Sequence, residues 1–406
     1  MGRQRKRAGR DAAALPQPHA AASLGVYLHL PFCLSKCAYC DFDSAPLESA
    51  GGLAVARRYL DALGVEMDLR AASEEFRGAL VETIYLGGGT PTVLPAEWLA
   101  ELIERLRKRF DFAESVEITV EANPKTVDDG KMAELLEPGV NRISLGVQSL
   151  RDDTLRTLGR AHSAAEAKEA VRIARAAGCR NLSVDLLYGV PGQSLAEWQA
   201  SVREMVELGP EHVSAYGLSV EPGTPLAEAI AAGRVPEQDD ELCAEMYEAA
   251  AEALTSAGYR HYEISNFARP GHECRHNRRY WAGAEYLGLG CSGHSYRRAV
   301  RWNNMAGARV YTEWLERGLL PVARAECLSA PRRVGEMLML GLRQEEGVGE
   351  EEVAAACGLA PRAVYGEEIR ELCEPACGGL VAEGGRLRMP RAKWIVSNKV
   401  LACFVA

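Results

Sequence analysis

No stretch of this sequence is apolar for long enough to form a helical membrane span, and its start has no apolar core of a secretory leader. The expected location is therefore the cytoplasm, with peripheral contact with a membrane left open. Positive charge is also scarce. Lys and Arg number 47 against 56 Asp and Glu, a net charge of -9, so the chain lacks a broad basic face to neutralise phosphates. No nucleic-acid partner is expected. The one basic run is "MGRQRKRAGR", with five positive residues and no acid before Asp11. Residues 1–22 read as a disordered basic tail, with organelle targeting or RNA contact as the weaker alternatives. A disulfide framework is missing as well, because nine of the twelve cysteines are scattered. The other three, Cys33, Cys37 and Cys40, fall within eight residues.

Between residue 26 and about 220, short apolar runs alternate with amphipathic stretches. "VYLHL", "VETIYLGGG", "VEITVEAN", "VNRISLGVQ", "LSVDLLYG" and "HVSAYGLSV" have strand character, and segments such as "AEWLAELIERLRKRF" and "AAEAKEAVRIARAAG" have helical periodicity. Six such units predict an α/β chain built as a partial (β/α)6 barrel over residues 23–235. A doubly wound open sheet is the competing architecture. Residues 236–325 read as a barrel extension. From about 326 to 406 short helices precede "GGLVAEGGRLRMP", two short strands around a Gly-Gly turn, which predicts a smaller α+β, winged-helix-like module. "WIVSNKVLACFVA" reads as a buried helix.

All strands but the first end in small or polar residues where a core strand would need none: Gly87, Gly88 and Gly89, then Glu121 and Asn123, Gln148, and Asp185. In a barrel these share one rim, the C-terminal ends of the strands, where chemistry is expected. Gly87 to Pro91, which includes Thr90, is not a phosphate loop, since no Gly-Lys-Ser/Thr follows. Taken singly, each polar rim residue, and Arg160 with them, reads as readily as a helix cap or a surface charge.

Cys33-x3-Cys37-x2-Cys40 places three soft thiolate donors in one loop after the first strand. Structural zinc sites usually take four ligands, and an electron-transferring four-iron cluster usually takes four cysteines. Three ligands leave one iron open, and S-adenosylmethionine can chelate it through its amino and carboxylate groups. This spacing resembles the signature of the radical S-adenosylmethionine superfamily, which implies a [4Fe-4S] cluster on these cysteines.

A narrower resemblance follows from "VYLHLPFCLSKCAYCDF", "YLGGGTPT", "EANP", "GVNRISLGVQS", "LGRAH", "DLLYGVPGQ" and "HNRRYW". Together they are similar to the family of oxygen-independent coproporphyrinogen III oxidase and its heme-chaperone relative. The match runs from about Val26 to Tyr296, with a weaker likeness beyond. It implies that Tyr27, the glycine segment, Glu121, Gln148, Arg160 and Asp185 line an S-adenosylmethionine pocket. The decarboxylating oxidase typically has a further cysteine two places after the third, where this chain has Phe42. His276-Asn277-x-x-Tyr280-Trp281 resembles the chaperone's signature. The resemblance thus favours a heme carrier, with heme as cargo and hemoproteins as acceptors, over an active decarboxylase. Oxidative decarboxylation of propionates to vinyls is the alternative.

"HECRHNRRYW" itself offers His272, Cys274 and His276 as donors, Arg278 and Arg279 as carboxylate partners, and Tyr280 and Trp281 as flat faces. His276 is the heme candidate. A histidine that only hydrogen-bonds in an aromatic lid is the plain alternative, and Cys291 and His294 are further candidate donors.

Overall fold

A computed structural model describes residues 23–405; the expected basic tail lies outside them. Six parallel strands run in sequence order across the sheet: Ser23–Leu30, Leu80–Gly88, Asp111–Ala122, Arg142–Gln148, Leu182–Tyr188 and His212–Gly217. A doubly wound sheet would reverse direction at a switch point. The unbroken order gives the curved wall of a partial barrel instead. Leu24, Val26 and Leu28, and Ile118 and Val120, are fully buried and share one face of the sheet, alternating with the residues that face the barrel interior.

Helices cover the outer face. Those spanning Ala164–Ala176 and Leu195–Leu208 each start at a capping box, Ser163 with Glu166 and Ser194 with Glu197. Each pairing satisfies orphan backbone N–H groups and fixes where the chain turns from strand to helix. Trp198 ties the second of these helices to the next layer, donating from Nε1 to Met246 O at 2.7 Å. Met246 belongs to the helix Asp240–Ser256.

The barrel does not close. A seventh parallel strand, Tyr286–Leu289, pairs with the free edge of the first, and three antiparallel strands follow it. On the opposite edge, Asn266–Ala268 pairs antiparallel with the sixth strand and then with Arg260–Glu263. Glu66, fully buried on the helix Gly52–Ala72, fastens the seventh strand from outside. Its carboxylate accepts from Gly290 N at 3.0 Å, Asn304 Nδ2 at 2.8 Å and Tyr311 Oη at 2.6 Å.

The C-terminal module packs three helices, Ala330–Gly341, Glu350–Cys357 and Pro361–Cys373, beside a three-stranded sheet. Its hairpin turns at Gly384 and Gly385, both at positive φ, as such a two-residue turn requires. Backbone hydrogen bonds from Ile264 N to Arg343 O at 3.1 Å and from Glu345 N to Tyr262 O at 3.0 Å seat it on the barrel extension. The tail expected as one buried helix is a 3-10 turn over Arg391–Val396 followed by a short helix, Ser397–Leu401. Trp394, Val400, Leu401 and Phe404 are still buried, but the apolar positions do not hold one continuous helical stripe. Among the described residues no helix is long and apolar enough to cross a membrane.

Candidate cofactor-binding site

A cavity of about 360 Å³ opens at the C-terminal ends of the parallel strands. Cys33, Cys37 and Cys40 line one side of it, and Gly88, Gly89, Thr90, Glu121, Gln148, Arg160 and Asp185 line the rest. Residues far apart in the chain thus meet on one rim because each lies at or near the exit of a neighbouring strand.

The cysteine loop is held by the second strand. Gly89 N donates to Leu30 O at 2.9 Å and Thr90 N to Phe32 O at 2.7 Å, so the glycine turn clamps the chain just before Cys33. A Cβ at Gly89 would lie 2.5 Å from Phe32 O and 2.7 Å from Leu30 O, which explains why only glycine fits. Lys36 closes the far end, donating from Nζ to Phe42 O at 2.7 Å and Ser44 O at 3.0 Å. All three thiols are free and half-buried. Burial pushes the Cys33 and Cys40 thiols above their ordinary range. Arg160 sets a positive charge against the third, donating from Nη1 to Cys37 Sγ at 3.2 Å. Three soft donors in one loop, beside a cation and at the mouth of a cavity, are a donor set that would hold a four-iron cluster through three cysteines. Phe42 lines the same mouth with 63% of its surface exposed.

Glu121 is the central acid. Its Oε1 accepts from Tyr85 Oη at 2.9 Å and its Oε2 from Gly88 N at 3.3 Å. Burial raises its pKa to about 7, with the nearby Asp185 adding to the rise and the two donors offsetting part of it. Gly87 makes room for it, since a Cβ there would stand 2.9 Å from the Glu121 carboxyl. Asp185 is also raised by burial and accepts from Ser144 Oγ at 3.3 Å. It sits within its strand, which continues to Tyr188, where the sequence had suggested the strand's end. Gln148 closes the fourth strand at φ 66°, an uncommon conformation for a residue with a side chain, at the edge of the cavity.

Tyr27 and Gly87 are not among the cavity-lining residues. The Tyr27 ring lies 6.2 Å from that of Tyr85, and Tyr27 shares a hydrogen bond of 3.1 Å with His29 Nδ1. His276 lies outside the lining too. It is buried, with Nδ1 2.8 Å from Thr83 Oγ1 and Nε2 2.8 Å from Tyr280 Oη. Burial, followed by the charges of Arg279 and Arg142, lowers its pKa to about 3, so it stays neutral at working pH. Cys274 is buried with its thiol pushed up to about 12, chiefly by burial. Cys291 is buried against the Tyr59 hydroxyl, whereas His294 is exposed.

Sequence reasoning passed over Arg142, Ser144, Ser214 and Tyr85, all of which line the cavity. Arg142 is only 2% exposed, and among the described residues its guanidinium makes no hydrogen bond. The period of two in "RISLGVQ" carries the signal, because Arg142, Ser144, Gly146 and Gln148 share the inward face.

The radical SAM superfamily profile matches residues 27–205, and the HemN C-terminal domain profile matches residues 328–396. The chain is 40% identical over 339 residues to the heme chaperone HemW of Mycobacterium tuberculosis, covering 84% of this chain and 86% of that one. It is 34% identical over 387 residues to HemW of Lactococcus lactis, covering 93% and 96%, and 40% identical over 272 residues to HemW of Escherichia coli, covering 67% and 69%. Among solved structures, the radical SAM enzyme coproporphyrinogen III oxidase from Escherichia coli superposes with a TM-score of 0.81 over 94% of this chain and 90% of that one. At 22% identity that likeness shows the fold alone.

Proposed function

Because the chain belongs to the HemW family of radical S-adenosylmethionine proteins, we propose that it is a heme chaperone that binds heme and passes it to acceptor hemoproteins. The observation that carries this reading is likeness to proteins named heme chaperones over almost the whole length of both chains. We further propose that Cys33, Cys37 and Cys40 hold a [4Fe-4S] cluster and that S-adenosylmethionine occupies the cavity above the strand ends.

In that pocket the Glu121 carboxylate is the natural acceptor for an ammonium group, beside the backbone of the glycine turn. Asp185 is an acceptor for hydroxyls, and Arg160 supplies positive charge between the cysteine loop and the fourth strand. Burial in the barrel partly desolvates Glu121 and Asp185, which raises both carboxyl groups. When bound, the cluster and S-adenosylmethionine supply one-electron chemistry.

One anaerobic experiment tests the proposal. The cluster is reconstituted, and the same sample is assayed for a heme Soret band on titration and for coproporphyrinogen III turnover. Heme uptake and transfer without decarboxylation is the expected result. Decarboxylation at a useful rate, or no heme uptake, would overturn it.

A further inference from the structure

A second set of metal-ligating side chains lies outside the lining of the cofactor cavity. His29, Asp43 and Cys291 each offer a donor atom, and these atoms all lie within 4.8 Å of one another. They come from three segments that meet at the edge of the barrel. His29 is on the first strand, Asp43 is at the end of the cysteine loop, and Cys291 lies just beyond the seventh strand. His29 and Cys291 are buried and Asp43 is half-buried, so an ion would enter past Asp43.

Each donor is held in place by its own contacts. A Cβ at Gly88 would stand 2.4 Å from His29 Nδ1, so a glycine is needed for the ring to lie there. Tyr59 Oη donates to His29 O at 2.7 Å and accepts from Cys291 N at 2.9 Å, which ties the two segments together. Asp43 Oδ2 accepts from Ser292 Oγ at 2.7 Å and from Gly307 N at 2.8 Å, leaving Oδ1 for a further partner. Ser292, next to Cys291, sits at φ 54°, an uncommon conformation for a residue with a side chain.

The chemistry of this donor set, one nitrogen, one sulfur and oxygen, suits a borderline-soft divalent ion such as zinc. In the tautomer with its proton on Nδ1, His29 donates to Tyr27 Oη at 3.1 Å, the kind of outer contact that orients a metal-bound histidine. Nε2 then carries a lone pair, with Asp43 O beside it at 2.8 Å as a further oxygen donor. Burial lowers the His29 pKa and so favours the neutral ring that a metal needs. Burial alone would raise Asp43, but its bonds from Gly307 N and Ser292 outweigh that and keep it ionised. Burial, with Asp43 beside it, pushes the Cys291 thiol up, so the thiol keeps its proton until a cation displaces it. One thiolate and one carboxylate then neutralise a divalent charge. Three atoms no more than 4.8 Å apart lie within about 2.8 Å of a common centre, and zinc bonds are about 2.0–2.3 Å. Small side-chain shifts close the difference.

We propose that His29, Asp43 and Cys291 form a zinc-class metal site that fastens the end of the cysteine loop to the edge of the barrel. Binding expels the Cys291 thiol proton to solvent, so affinity should rise with pH. Such a site is independent of which cargo the protein carries.

The test uses the full-length protein with its cluster reconstituted, so that iron occupies Cys33, Cys37 and Cys40. Excess zinc is added anaerobically and removed by gel filtration, and zinc and iron are then counted on one sample. Wild type should retain about one zinc per chain with its iron unchanged, and its zinc absorption spectrum should show a single sulfur neighbour at about 2.3 Å. Cys291→Ser and Asp43→Asn, each close to isosteric, should bind zinc at least about tenfold more weakly at equal iron. No zinc retained by wild type overturns the site, as does zinc binding by Cys291→Ser as tight as that of wild type. Two or more sulfur neighbours also overturn it, because zinc would then have entered the cysteine loop. The wild-type spectrum decides the matter if either variant fails to fold.

Discussion

Arg160 joins the cysteine loop to the fourth strand, donating from Nη1 to Cys37 Sγ at 3.2 Å and from Nη2 to Gly146 O at 2.7 Å. The turn that carries it also receives the loop directly, with Ala38 N donating to Leu158 O at 3.0 Å. One guanidinium thus supplies a charge to a sulfur and fixes the distance between the loop and the strand ends.

Arg160→Met should leave the three thiols in place but remove that charge from the cavity. Iron content after reconstitution should match wild type, while S-adenosylmethionine affinity, measured calorimetrically, should fall by about 1.5–3 kcal/mol, the range for a hydrogen bond to a charged group. Loss of iron in parallel would make Arg160 a support of the loop and not a ligand contact.

Glu121 gives a pH signature. Its folded pKa, raised by burial to about 7, lies above the ordinary glutamate value of about 4.3. Between those two values the folded protein keeps a proton that the unfolded chain has released, so this group's contribution to stability declines as pH rises through the window. Glu121→Gln cannot titrate. Relative to wild type, the cluster-free variant should gain on the order of 3–4 kcal/mol between about pH 4 and about pH 8. Urea titrations at both ends check this, and a pH-independent difference would mean that Glu121 is ionised throughout.

The architecture was legible where the pattern is local. Six apolar runs separated by amphipathic helices indicated a barrel, and strand-end residues such as Glu121 and Gln148 marked its rim. The seventh parallel strand was not, because Tyr286–Leu289 is only four residues long, and its place depends on Glu66 more than two hundred residues earlier. Arg142 was missed for a related reason. An inward arginine near the start of a strand reads as a surface charge until the strand's neighbours are known. The signature segment showed the opposite limit: its residue types indicated a donor set, but which side chains face inward depends on packing against Thr83 and Tyr85.

Glu66 should be a stability hot spot far from any ligand. Glu66→Ala would strand donors on Gly290, Asn304 and Tyr311 and leave the buried Arg70, 3.6 Å away, without its acid. Removing one partner of such a buried pair costs about 3–5 kcal/mol. Equilibrium urea unfolding should show a loss of that size, and a loss below about 1 kcal/mol would mean that the seventh strand is held by other contacts.

Gly89→Ala should act on the cluster through the backbone. The new methyl would meet Phe32 O and Leu30 O at distances no real Cβ tolerates, and both are backbone atoms that cannot swing aside. The clamp ahead of Cys33 must open, so reconstituted iron should drop several-fold although every cysteine is present. Full iron incorporation would mean that the loop forms without the clamp.

His276 decides between an anchoring role and a ligating one. To bind an iron it would have to surrender Thr83 or Tyr280, each 2.8 Å away, inside a barrel wall that water does not reach. Acting as an anchor, it holds the signature helix against the second strand, and the ring should matter for folding more than for cargo. His276→Ala should then lower stability by about 2 kcal/mol or more, through a lost buried side chain and two stranded hydroxyls. The Soret maximum of the heme-loaded protein should stay where it is in wild type. A shifted maximum at unchanged stability would reverse the assignment and make His276 the ligand, because an axial ligand sets the spectrum directly whereas an anchor acts only through the position of the helix.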